Sequence, residues 1–98
     1  MKSYTYILHS KKLSKFYIGA TTINPKERLE NHIVEYYGNS KFTAKTKDWV
    51  IFHIIECENI IQAKAIEKHI KNMKSKSYIL NLSKYPEMNV KLIDRYTM

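Results

Sequence analysis

Cysteine, glycine and proline are scarce in this chain, which has one, two and two of them among 98 residues. A lone cysteine excludes an internal disulfide framework and a metal cluster built on thiolates. Cys57 lies in an apolar run, so we expect it to be a buried structural thiol. No segment approaches the roughly eighteen apolar residues of a membrane helix, and the N-terminus lacks the apolar core of a signal peptide. We therefore expect no membrane partner and a cytoplasmic location.

Acidic residues are also few. Nine Asp and Glu stand against seventeen Lys and Arg, which gives a net charge of +8 and a pI near 9.6. This balance in a small domain favours a polyanionic partner, because each neutralised phosphate releases a condensed counterion. The cations are mostly lysine, which weakens any argument for arginine-type reading of base edges. The alternative is that the lysines only keep a small protein soluble.

The first half of the chain predicts a hairpin followed by a helix. Alternating polarity over Tyr4–His9 and an apolar run over Phe16–Ala20 predict two strands joined by a polar turn. Asn24 is a suitable helix cap and Pro25 a suitable first helical residue, and Gly38–Ser40 is expected to end the helix. The predicted apolar stripe of this helix consists of Leu29, Ile33, Tyr36 and Tyr37.

The second half predicts a third strand over Trp49–Cys57 and a helix capped by Asn59, with Gln62 completing a capping box. A short helix over Ser77–Ser83 and irregular structure after Pro86 complete the chain. The order β-β-α-β-α-α predicts an α+β fold, with a small antiparallel three-stranded sheet flanked by helices. We assign residues 1–85 to one domain and residues 86–98 to a C-terminal tail packed on it or extending from it. The predicted core stripe of the second helix consists of Ala63, Ile66, Ile70 and Met73.

Four side chains in the first half are candidates for chemistry. Tyr6 and Tyr17 fall on the two predicted strands, where pairing brings their phenols near each other on one face. Arg28 and His32 are four residues apart and project from one side of the first helix. A phenol can orient water, a guanidinium can clamp phosphate and an imidazole can move a proton. The ordinary alternatives are a packed strand tyrosine and a solvated helix face.

Glu67 is the candidate from the second helix, where it is a lone acid among lysines. One carboxylate, with water and substrate oxygens completing the shell, suffices to hold Mg²⁺, and the metal can stabilise a leaving oxygen. The alternative is a surface ion pair with a neighbouring lysine. The four histidines show no zinc-binding spacing and the two glycines form no phosphate loop, which disfavours both of those chemistries.

In order and spacing these residues resemble the GIY-YIG nuclease domain over about residues 4–80. Tyr17-Ile18-Gly19 matches the second half of the family's name, and Tyr4-Thr5-Tyr6 stands where the first half would be. Arg28 and His32 match the family's helix, and the segment from Ala63 to Lys71 matches the helix that carries its metal-binding glutamate. Residues 41–47 resemble the basic loop of a short bacterial single-domain subgroup. The sequence departs from the family at Tyr4, where relatives have glycine, and at Ala20, where some have lysine.

The resemblance implies a DNA endonuclease that uses one Mg²⁺ or Mn²⁺ ion on duplex or branched DNA. One tyrosine would activate water, Arg28 would stabilise phosphoryl charge and Glu67 would hold the metal; which phenol is the base stays open. With no appended recognition domain, we expect weak sequence preference. The implied catalytic residues are Tyr6, Tyr17, Arg28, His32 and Glu67, with Gly19 and Asn81 as accessory candidates. The expected nucleic-acid contacts are Lys41, Lys45, Lys47, Lys71 and Lys74.

Two other classes of function remain open on the sequence. The basic charge is equally suited to a non-catalytic nucleic-acid-binding module with the same fold. An interaction domain is the third possibility, in which the tyrosines form a protein-contact surface. If the chain is a nuclease, one site nicks a duplex and a homodimer is needed to cut both strands, in repair, recombination or another DNA transaction.

Overall fold

The computed structural model describes residues 2–33 and 48–97, and only the backbone of residues 31–33. The strands are β1 (Ser3–Ser10), β2 (Lys15–Thr21) and β3 (Val50–Cys57). They form an antiparallel sheet in the order β2-β1-β3. The helices are α1 (Pro25–Ile33), α2 (Ile60–Met73), α3 (Lys76–Lys84) and α4 (Pro86–Arg95). The predicted α+β fold is confirmed.

The register of the sheet decides which side chains meet. Strand β1 is central, and Tyr6 lies opposite Gly19 of β2, while Leu8 lies opposite Tyr17. Because successive residues of a strand point to opposite faces, these four residues share one face of the sheet. The pairing of β1 with β3 shifts register between Ile7 and Leu8, which is the geometry of a β-bulge.

Helices and sheet enclose two apolar clusters, one on each face. On one face α2, α3 and α4 cover side chains of all three strands. On the other face Tyr6, Leu8 and Trp49 are buried, with Leu29 of α1 and the half-buried Tyr17 packed against them. The larger cluster consists of Ile7, Ile18, Ile55, Cys57, Ala63, Ile66, Ile70, Ile79, Leu82 and Leu92.

Cys57 belongs to this larger cluster and is only 3% exposed, so the prediction of a buried thiol is confirmed. Its Sγ lies 3.8 Å from Oγ1 of Thr5 on the neighbouring strand. Burial raises the pKa of the Cys57 thiol, which keeps it protonated and unreactive at neutral pH.

The helix caps form where the sequence predicts them. Oδ1 of Asn24 accepts a hydrogen bond from the backbone N–H of Lys26 at 2.8 Å, and α1 begins at Pro25. Oδ1 of Asn59 accepts from the N–H of Gln62 at 2.8 Å and caps α2. The predicted capping box differs in detail, because Oε1 of Gln62 accepts from the N–H of Glu58, one residue before the cap.

Three predictions about elements are corrected. Residues after Pro86 form the regular helix α4 and not irregular structure, because Pro86 occupies its first turn and Leu92 is buried against the core. Met73 is 45% exposed and does not join the core, since α2 ends there. Strand β3 begins at Val50, one residue after the predicted start at Trp49, which is buried just before it.

Some predictions fall on residues outside the description. These are the helix-end signal at residues 38–40, the lysines Lys41, Lys45 and Lys47, the stripe residues Tyr36 and Tyr37, and the side chains of His32 and Ile33. Within the described ranges, none of the helices is long and apolar enough to cross a membrane.

Candidate active site

Tyr6 and Tyr17 lie side by side on one face of the hairpin. Their ring centroids are 6.4 Å apart and the rings are inclined by 39°. Tyr6 is 1% exposed, whereas Tyr17 is half-buried. The Tyr17 ring also makes an edge-on contact with the buried ring of Trp49, at a centroid distance of 6.4 Å. The predicted proximity of the two phenols is therefore present in the structure.

Gly19 makes room for the Tyr6 ring. A Cβ built on Gly19 would lie 2.5 Å from both Cζ and Oη of Tyr6, which is far inside van der Waals contact. Gly19 has no positive φ, so its role here is close approach and not an unusual backbone conformation. The glycine of the Tyr-Ile-Gly motif thus lets the Tyr6 phenol lie across strand β2.

Arg28 approaches the phenols from α1. The cap at Asn24 fixes the first turn of this helix, and the N–H of Arg28 donates to the Asn24 carbonyl at 3.1 Å. Arg28 is half-buried, and its guanidinium donates a hydrogen bond to the Tyr6 hydroxyl. A permanently charged group is thereby held against a buried phenol.

Glu67 comes from α2 and is the acidic group of the site. Its side chain is 21% exposed, and Oε2 accepts from Nζ of Lys71, one helical turn later, at 2.6 Å. Its charge also acts on Tyr6, since the nearby carboxylate contributes to the raised pKa of that phenol. Glu67 is therefore near enough to Tyr6 to act on its ionisation, and the Glu67 side chain is partly open to solvent.

The pKa of Tyr6 combines these surroundings. Its pKa is raised to about 12, chiefly by burial; the hydrogen bond and charge of Arg28 lower it, and the negative charges that Tyr17 and Glu67 carry when ionised raise it. Burial dominates because the ionised phenolate would lose its hydration. Tyr6 is consequently a neutral phenol at physiological pH, able to donate one hydrogen bond while accepting from Arg28.

These four residues, Tyr6, Tyr17, Arg28 and Glu67, are called the Tyr6 cluster below. They come from four different elements, β1, β2, α1 and α2. His32 follows Arg28 by one turn of α1, but its side chain lies outside the description. Asn81 is exposed on α3, and its predicted role stays a prediction.

Of the lysines predicted to contact nucleic acid, Lys71 and Lys74 lie within the described ranges. Lys71 lies beside the Tyr6 cluster through its ion pair with Glu67. Lys74, which ends α2 in the left-handed conformation, is exposed one turn further along. Their role in binding nucleic acid stays a prediction.

The donors of the Tyr6 cluster suit a hard divalent cation. The carboxylate of Glu67 is an oxygen ligand of the kind that Mg²⁺ and Mn²⁺ prefer, and water and phosphate oxygens can complete the shell. Groups of three or more His, Cys, Asp or Glu that could enclose a metal are absent from the described ranges. In the structure, Oε2 of Glu67 is paired with the ammonium group of Lys71.

One positioning contact was not predicted from the sequence. Oγ of Ser10 donates to Oδ1 of Asp48 at 2.6 Å, and the N–H of Lys12 donates to Oδ2 at 2.9 Å. These bonds tie the β1–β2 turn to the residue just before Trp49, whose ring packs on Tyr17. A polar Asp directly before an apolar strand was the only sequence signal for this contact.

The fold is a small antiparallel sheet flanked by helices, which brings two phenols, a guanidinium and a carboxylate close together on a basic chain. The family model for the GIY-YIG catalytic domain matches residues 2–81. The chain therefore belongs to the GIY-YIG family, whose nucleases act on DNA. No curated protein and no solved structure matches the chain.

Proposed function

We propose that this chain is a divalent-metal-dependent endonuclease that hydrolyses DNA phosphodiester bonds with one metal ion per site and weak sequence preference of its own. The observation that carries the proposal is the convergence of the Tyr6 cluster from four elements of the fold. Packing alone gives no reason to place a guanidinium and a carboxylate around a buried phenol, since both charges lose hydration there.

Arg28 and Tyr6 are proposed to bind the scissile phosphate. A guanidinium can donate to two phosphoryl oxygens and stabilise the negative charge that develops on them. Because burial raises its pKa, Tyr6 stays protonated, and in this proposal its O–H donates to a phosphoryl oxygen or to the attacking water once DNA is bound. Tyr6 acts as a neutral donor in this proposal and not as the base.

Tyr17 is proposed to orient the attacking water and, in its phenolate form, to take one proton from that water and become the neutral phenol. It is half-buried, whereas Tyr6 is 1% exposed, so water reaches the Tyr17 hydroxyl more readily. A general base must lie within hydrogen-bond reach of the water that it activates. His32 keeps its predicted role as a partner for a phosphoryl oxygen or a proton.

Glu67 is proposed to hold Mg²⁺ or Mn²⁺ on the exposed side of its carboxylate, where Lys71 now pairs with it. A metal bound there would supply Lewis-acid stabilisation of the leaving oxygen. Lys71 would then be released to pair with a DNA phosphate. Lysine ammonium groups contact the backbone as point charges, which is the basis for expecting weak sequence preference.

The test compares the parent with Glu67→Gln on supercoiled, branched and single-stranded DNA, with Mg²⁺, Mn²⁺ or EDTA. We expect cleavage by the parent with either metal, none with EDTA, and a loss of at least about 100-fold for Glu67→Gln, as the removal of a metal ligand implies. DNA binding should persist in the variant, since the substitution removes a negative charge.

Glu87→Gln is the matched control, because Glu87 is an exposed acid on α4 and the change in charge is the same. It should cleave like the parent. Equal cleavage by the parent and Glu67→Gln would contradict the metal role of Glu67. Salt-sensitive DNA binding without cleavage on any substrate would favour the non-catalytic binding module.

A further inference from the structure

A cleft bordered by lysines runs along the outer edge of the hairpin, between β2 and the junction of α2 with α3. It encloses about 510 Å³, and no acidic side chain is among the described residues that line it. All four lysines are exposed. We call this cleft the lysine groove; its lysines are Lys15, Lys71, Lys74 and Lys76.

The lysine groove has a fixed apolar floor. Ile18 and Ile70 belong to the larger core cluster, with Phe16 packed against it, so the floor is part of the folded core. Lys74 adopts a left-handed conformation and its N–H donates to the Lys71 carbonyl at 3.3 Å. Nζ of Lys76 donates to the Ser14 carbonyl at 3.3 Å, which joins α3 to the hairpin turn. The positions from which these lysines project are therefore set by the fold.

The lysine groove is connected to the Tyr6 cluster through one ion pair. Lys71 lines the groove and pairs with Glu67, and Lys74 is seven residues after Glu67 on the same helix. Seven residues correspond to about 10 Å along a helix axis at roughly 1.5 Å per residue. Along the axis of a duplex that lies parallel to α2, one DNA strand advances about 3.4 Å per nucleotide, so this distance corresponds to about three nucleotides.

A larger cleft between α2, α3 and α4 is less suited to a polyanion. Asp94 lines it together with Lys91 and Arg95, so its charge is mixed. His69, which also lines it, is two residues from Glu67 and projects from nearly the opposite side of α2. This cleft is not continuous with Glu67 along the helix.

We propose that the lysine groove holds the sugar–phosphate backbone of the cleaved strand over about three nucleotides on one side of the scissile phosphate. This inference rests on the proposed function and adds Lys15 and Lys76 to the DNA contacts. The ammonium groups neutralise successive phosphates, while the apolar floor lies against the sugars. The groove thereby fixes the direction in which the strand passes the Tyr6 cluster.

The first test measures binding of a short duplex without divalent metal over a range of salt concentrations. The groove variant is Lys15→Gln/Lys74→Gln. We expect it to bind at least about tenfold more weakly than the parent near physiological salt. The slope of log K against log salt should become about 1.8 less steep, as the loss of two phosphate contacts implies.

The control variant Lys64→Gln/Lys84→Gln removes the same charge from exposed lysines that do not line the groove. It should lose clearly less affinity and less slope. Urea unfolding of all three proteins verifies that they are folded to the same extent. Equal losses in the groove and control variants would overturn the inference.

The second test places neutral methylphosphonate linkages at three positions on one side of the cleavage site. On the side that occupies the groove, these linkages should weaken DNA binding by the parent. They should have little further effect on the groove variant, because that variant has already lost the same contacts. The inference would be overturned if, on each side tested, the linkages weakened binding by the parent and by the groove variant equally.

These outcomes separate the groove from the proposed hydrolysis. If the parent cleaves DNA but the groove variant and the control variant bind DNA equally well, the proposed function is kept and the groove is rejected. A parent that never cleaves but shows the groove-dependent slope rejects the hydrolysis and retains the groove as a DNA-binding site.

Discussion

At the level of single residues, the contact between Gly19 and Tyr6 is the tightest constraint in the site. The two residues are paired across the hairpin, and the Tyr6 ring fills the space that a side chain at position 19 would need. Tyr6 is held from several directions, since it packs against Tyr17 and accepts from Arg28. A shift of the ring therefore also moves its hydroxyl relative to the guanidinium.

We predict that Gly19→Ala destabilises the fold by about 1–3 kcal/mol and lowers cleavage more than DNA binding, because the added methyl group displaces the Tyr6 phenol. Urea unfolding and single-turnover cleavage measure the two effects. In a Tyr6→Ala background the methyl group has room, so the same substitution should cost much less. Additive effects of the two substitutions on stability would contradict the contact.

The sequence predicted which residues form the Tyr6 cluster, because their order and spacing are distinctive. It did not predict how deeply each of them is buried. That Tyr6 is enclosed and Tyr17 half-exposed depends on strand register, on Trp49 and on the missing side chain at position 19. The raised pKa of Tyr6 follows from that burial, so the proposal that Tyr17 and not Tyr6 is the base could not be made from the sequence.

At the level of elements, the caps and stripes made most of the fold predictable. Asn24 and Asn59 cap helices as expected, because their side chains replace missing helical acceptors. Helix α4 was missed, although Pro86 suits a first turn and Met88 and Leu92 recur at helical spacing. Its N-cap is Tyr85, which makes no side-chain capping bond, so the usual start signal was absent.

Gln62 connects α2 to α4. It is 2% exposed, and its Nε2 donates to the Ile93 carbonyl at 3.1 Å and to Oγ1 of Thr97 at 3.3 Å. Its Oε1 accepts from the N–H of Glu58. One amide therefore satisfies polar groups at the start of α2 and at the end of α4.

We predict that Gln62→Leu lowers the free energy of unfolding by about 1–3 kcal/mol, because it leaves buried polar groups without partners. Urea unfolding measures the loss. Amide hydrogen exchange should also become faster than in the parent, and this increase should be larger in α4 than in β1. Ile61→Ala is the control, since Ile61 is 60% exposed and should change stability by less than about 0.5 kcal/mol. Unchanged exchange in α4 would show that Gln62 does not hold this helix.

At the level of the whole molecule, the sheet order explains how a short chain assembles a composite site. Placing β1 between β2 and β3 puts Tyr6 at the centre, with Tyr17 beside it and helices on both faces. The described part of the chain brings together one Tyr6 cluster, and the net charge of +8 gives it a general attraction for DNA. One such cluster within the described residues has a direct consequence for the products of the proposed cleavage.

We predict that the parent converts supercoiled plasmid mainly to the nicked circle, with linear DNA appearing later. One Tyr6 cluster can hold one scissile phosphate, and a second cut requires either another binding event or a second copy of the chain. A gel time course over a range of protein concentrations measures the ratio of nicked to linear product.

Adding a moderate excess of Glu67→Gln distinguishes the two routes to the second cut. Independent binding events predict that both products slow alike through competition for DNA, whereas a required dimer predicts a selective loss of linear product. Linear DNA formed at once, without a nicked intermediate, would contradict action by single copies.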